Sequence, residues 1–120
     1  MDNDYKDFEK EFEEQIAELY EEFEQTYKKL GFKNVTRVIT LLMERAAKFE
    51  RLSGEKKKRI VLHCLRELIK DNVRSKQNRM VLLTMVDLTF PELIDGMVSA
   101  SKGEFIFKTV KKGLLKWCCT

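Results

Sequence analysis

Eight large apolar side chains recur through residues 5–30 of this chain: Tyr5, Phe8, Phe12, Ile16, Leu19, Phe23, Tyr27 and Leu30, in steps of 3, 4, 4, 3, 4, 4 and 3. The pattern repeats every eleven residues, about 3.67 per turn, which holds one stripe on one side of an α-helix along its whole length. Residues 1–30 also carry eleven carboxylates against four lysines. The segment therefore reads as a long, acidic, amphipathic helix whose aromatic face must lie on something. A straight helix of 26 residues would be about 39 Å long, while a domain of this size is about 30 Å across, so part of it is expected to overhang. An overhanging apolar stripe calls for a partner helix or a second copy, with packing on the chain's own later helices as the alternative, and these eight residues are the candidate partner-binding set.

The remaining positions fit a compact helical bundle. Gly31 offers a left-handed stop for the first helix. Asn34 is a good cap for a second helix with Val35, Val38, Ile39, Leu42, Ala46 and Phe49 at helical spacing. Ser53 and Gly54 break that helix, and Ser53 caps a third, which places Ile60, Val61, Cys64, Leu65, Leu68 and Ile69 on one face. Residues 71–79 form a polar joint. Met80 to Leu88 is apolar on most sides and is expected to be the most buried helix. Thr89 and Glu92 then form a capping pair around Pro91 for the next helix, which Gly103 ends. Glu104 to Val110 alternates weakly and reads as an extended segment, followed by a basic, apolar tail. The expectation is one all-α domain: a long helix over residues 1–30, then about four shorter helices with a C-terminal extension over residues 31–120.

Charge is divided sharply along the chain. The overall net charge is +3. Residues 1–30 nevertheless carry a net −7, and residues 31–120 a net +10. Arg45, Lys48, Arg51, Lys56, Lys57, Lys58 and Arg59 are the candidate phosphate-binding cations, for nucleic acid or an anionic membrane surface. No helix-turn-helix, zinc-finger or basic-zipper pattern accompanies them, so a solvated face or a dock for the acidic helix is the stronger reading.

Catalytic and metal-binding patterns are weak. His63 and Cys64 are neighbours on a helix and point about 100° apart, so they do not make a nucleophile pair. The other cysteines, Cys118 and Cys119, lack the usual ligand spacing for zinc. Asp87, Glu92 and Asp95 are the least poor acid–base candidates. No phosphate-cradling glycine loop or hydrolase elbow occurs. Neither a cofactor nor a metal is expected, and the chain is read as not an enzyme.

The cysteine count is odd, with two adjacent, which suits a reducing, intracellular compartment. Acidic residues follow Met1 where a signal peptide would be basic, and the longest apolar runs are far short of the ~20 residues of a spanning helix. Trp117, Cys118, Cys119 and the preceding lysines nonetheless make a candidate acylation tail for peripheral membrane contact. Docking of that tail on the bundle is the preferred reading.

Residues 52–107 resemble a group of small helical proteins of the large DNA viruses of eukaryotes. The matching pieces are Leu52-Ser53-Gly54-Glu55-Lys56-Lys57-Lys58, Ile60-Val61-Leu62 with Leu65 and Ile69, Phe90-Pro91-Glu92-Leu93-Ile94-Asp95, and Ser99-Ala100-Ser101-Lys102-Gly103. The Gly54-Glu55-Lys56-Lys57 helix start is also similar to some phage holin-associated proteins. The viral resemblance implies a virus-encoded helical protein without assigned catalytic residues, a minor virion or assembly component; the long first helix lies outside it.

Overall fold

The computed structural model describes residues 2–26, 30–49 and 51–102. Among these it has six α-helices and no strand: α1 (Asp2–Glu11), α2 (Glu13–Thr26), α3 (Val35–Ala46), α4 (Gly54–Asn72), α5 (Lys76–Leu88) and α6 (Phe90–Lys102). The all-α reading holds. The segment 104–110, expected to be extended, lies outside the described residues, as do Tyr27, Cys118, Cys119 and the side chain of Tyr5.

α4 organises the rest. Ser53 starts it, its Oγ accepting from the Lys56 N–H at 3.2 Å. Lys57, Ile60, Val61, His63, Cys64, Leu65, Leu68 and Ile69 are all buried. At 100° per residue these positions cover about 240° of the helix circumference, wider than the one face read from the sequence. A helix buried that broadly needs several neighbours. α4 meets α2, α3, α5 and α6.

The N-terminal stripe supplies one side of this enclosure. Phe8, Phe12, Ile16, Leu19, Phe23 and Leu30 are 2–7% exposed and join the same core cluster as the apolar residues of α4. These six stripe residues are thus turned inward on their own bundle instead of overhanging. The single helix expected over residues 1–30 is also divided at Phe12, although the Phe12 N–H still donates to the Phe8 carbonyl and the Ile16 N–H to the Phe12 carbonyl, both at 3.0 Å. α2 packs along α4 and α3, whereas α1 reaches α4 through Phe8, whose ring lies 5.0 Å from that of His63. Past α2, the Leu30 N–H donates to the Asn72 carbonyl at 3.3 Å and ties this strip to the far end of α4.

Three local expectations change. Gly31 does not adopt the left-handed conformation; its N–H donates to Asn34 Oδ1 at 2.9 Å, so a side chain closes the turn without it, and Asn34 stands at the N-cap position of α3 without a side-chain capping bond. Thr89 joins α5 to α6 through its backbone, its N–H donating to Met85 O at 2.8 Å and its carbonyl accepting from the Leu93 N–H at 3.1 Å. No capping bond to Glu92 is needed there.

The third change concerns α5, which is not the most buried helix. It starts at Lys76, with Ser75 Oγ accepting from the Asn78 N–H at 3.3 Å, and only Leu82 and Val86 are fully covered. α5 sits at the edge of the bundle, against α4 and α6, so a helix apolar on most sides is left with an open face.

The core placement of the stripe is open to test. Leu19, 2% exposed, fills the α2 side of the core, and Leu19→Ala is expected to cost about 2–5 kcal/mol in urea unfolding. Leu88→Ala, on the open face of α5, is expected to stay within about 0.5 kcal/mol of the parent.

Candidate functional site

The basic run that opens α4 divides between the aromatic stripe and the helices on its other sides. Arg59 lies over the Phe8 ring, its guanidinium carbon 4.0 Å from the centroid, and Lys56 Nζ is 5.7 Å from the Phe12 centroid. Phe8 and Phe12 pack on each other at 4.6 Å between centroids. Each cation lies near the negative face of a ring, which is worth about 0.5–1 kcal/mol where solvent has access. Lys58 Nζ pairs with Asp95 of α6 at 3.1 Å and lies 4.0 Å from Glu55. Lys57 has no exposure, and its Nζ donates to the Ala47 carbonyl at 3.4 Å, placing a cation at the C-terminal end of α3.

The seven candidate phosphate-binding residues therefore divide. Lys56, Lys57, Lys58 and Arg59 are engaged within the chain, and Arg45 Nε holds Glu22 of α2 at 2.9 Å. Lys48 and Arg51 are exposed. Between the acidic segment and the rest of the chain these contacts are the Arg45–Glu22 ion pair and the two cations near Phe8 and Phe12, while Lys57 and Lys58 fasten α3 and α6 to α4.

Acid–base candidates are likewise dispersed. Asp87 pairs with Arg66, Asp95 with Lys58, and Glu92 is exposed on the first turn of α6. Burial pushes the Cys64 thiol up, with a smaller contribution from Glu67, so its thiolate is disfavoured. His63 is 5% exposed. Its pKa is lowered to about 4, first by burial and then by the Arg59 and Arg66 charges. Among the described residues no group of three or more His, Cys, Asp or Glu side chains is placed to hold a metal, and no helix is long and apolar enough to cross a membrane.

Two surface features were missed in the sequence. On α5, Met80 is 61%, Val81 45% and Leu88 70% exposed. With Thr84 they fall within about 100° of one another around the helix. The only trace of this face was the weak amphipathicity of residues 80–88, which fits a helix buried all round equally well. The second feature is a groove of about 470 Å³ between α2 and α4, with Ile16, Ala17 and Tyr20 on its floor. Glu9, Glu13, Glu21 and Glu24 rim it from one side, Glu67 and Asp71 from the other. The Tyr20 hydroxyl donates to Asp71, and that bond, with burial and the surrounding carboxylates, pushes its pKa up.

No family model, curated protein or solved structure matches this chain.

The environment of His63 predicts a pH response. Its folded-state value lies below the ordinary 6.5, so proton uptake favours the unfolded chain. Stability present above pH about 6.5 should fall as pH drops from there through about 4. An NMR titration should place the imidazole near 4, and His63→Gln should lose less stability than the parent between about pH 7 and about pH 5.

Proposed function

We propose that this chain is a non-enzymatic helical structural protein that acts by associating with a second copy of itself through the exposed face of α5. The observation that carries the reading is the alignment of Met80, Val81 and Leu88, each 45–70% exposed, on one side of a helix that the bundle leaves at its edge. An apolar strip of this kind loses contact with water when it meets another such strip.

Charge supports a copy as the partner. Lys76 and Asp87 flank the same edge of the strip at opposite ends of α5, eleven residues or about 17 Å apart. Two α5 helices packed antiparallel about a two-fold axis bring that edge against itself in reverse, so Lys76 of each copy stands across from Asp87 of the other. The aromatic stripe, being core, takes no direct part. The dispersal of Asp87, Glu92 and Asp95 supports the non-enzymatic half of the reading. The resemblance of residues 52–107 to proteins of large DNA viruses supports a virus-encoded assembly component, and the odd cysteine count supports an intracellular setting.

Sedimentation velocity tests this. The chain should sediment at twice its 14.2 kDa mass at micromolar concentration. The double variant Met80→Glu, Leu88→Glu should sediment as a monomer with unchanged circular dichroism, because neither side chain belongs to the core. A parent protein that is monomeric throughout, or a variant that still dimerises, overturns the α5 interface.

A further inference from the structure

The groove between α2 and α4 has an apolar floor, acidic rims and a defined length. It follows α2 from Glu13 to Glu24, about 17 Å at 1.5 Å per residue. Among the described residues no lysine or arginine pairs with Glu9, Glu13, Glu21 or Glu24, while Glu67 is met by Lys70 at 3.5 Å. Like charges gathered along one groove repel each other, and the repulsion is relieved by a cationic occupant. A basic segment with apolar residues between its charges would satisfy both parts of the groove.

The sequence contains one such segment. Residues 103–120 carry Lys108, Lys111, Lys112 and Lys116 against Glu104, with Leu114, Leu115 and Trp117 among the lysines. We propose that this C-terminal segment docks in its own α2/α4 groove, Leu114 and Trp117 on the floor of Ile16, Ala17 and Tyr20, and Lys111, Lys112 and Lys116 toward the carboxylate rims.

The path is long enough. Near its end, α6 lies beside the start of α4, where Val98 and Ser99 share a cleft with Gly54 and Glu55. Glu67 and Asp71 are twelve and sixteen residues further along α4 than Glu55, a rise of about 18–24 Å. Eight residues, as in 103–110, reach at most about 26 Å at ~3.3 Å each, enough to cover that rise. The open face of α5 is a poorer seat for the same segment. Lys76 and Arg79 stand at the start of that helix and repel a lysine-rich segment, whereas the rims of the groove carry carboxylates. The inference stands on the groove and the tail charge, independently of any α5 association.

Trp117 is the single tryptophan of the chain, so its fluorescence reports on the tail alone. In the full chain at low salt, its emission should be that of a shielded indole, poorly quenched by acrylamide and independent of protein concentration. Glu21→Lys with Glu24→Lys should shift the ratio of docked to free tail about tenfold toward free, reading as red-shifted emission and stronger quenching. Molar salt should act the same way on the parent. Lys111→Glu, Lys112→Glu and Lys116→Glu together should also release the indole. Combining these with the two groove reversals should shield it again, a rescue that damage to the fold would not produce. An indole already exposed in the parent, emission unmoved by the reversals, failure of the rescue, or shielding that depends on protein concentration each overturns docking in cis.

Discussion

A helix whose buried positions sweep about 240° cannot be covered by one neighbour, and α4 sets the arrangement of everything around it. α3 and α5 flank it in sequence and reach it through short connections, α6 follows α5 at Thr89, and the remaining exposure of α4 is closed by α1 and α2. That final cover explains the aromatic content of the stripe. Phe8, Phe12 and Phe23 are large enough to fill the space beside α4, where the Phe8 ring meets that of His63.

Electrostatics then decide how the cover is fastened. The cations at the start of α4 oppose the helix dipole, which costs something locally, and the fold offsets the cost with rings and carboxylates of other elements. Arg59 over Phe8, Lys56 beside Phe12, Lys58 on Asp95 and Lys57 on the Ala47 carbonyl just past α3 connect α1, α3 and α6 to about one turn of helix. Individually such contacts are weak where water reaches them. Together they select one orientation of α1, α3 and α6 on α4.

Much of this was legible in the residues. The helical class, the cap at Ser53, the start of α3 and the positions of α4 and α6 follow from periodicity and punctuation, because local rules govern them, whereas α3 stops at Ala46, short of the break read at Ser53. The three-four spacing of the stripe located an apolar face without saying whose surface it covers, since periodicity is the same for a core helix and for an interface helix. The length estimate then misled: it assumed one straight rod, whereas the helix is divided at Phe12 and its face is taken up within the chain. α5 failed for the opposite reason. Hydrophobicity all round suggested enclosure, yet only a count of neighbours in space separates an enclosed helix from an edge helix with one bare side. The acidic groove could not be read at all, because Glu67 and Asp71 meet the α2 carboxylates across a gap of more than forty residues in sequence.

The pairing of α2 with α4 also has a consequence for biosynthesis. α2 is translated before α4, and its partner surface does not exist until residues 54–72 have left the ribosome. At about 5–20 residues per second, an acidic helix bearing Ile16, Leu19 and Phe23 stays uncovered for several seconds on each nascent chain. The abundant carboxylates around that stripe keep it soluble over the interval, so the same charges that later line a groove serve first as protection against premature association.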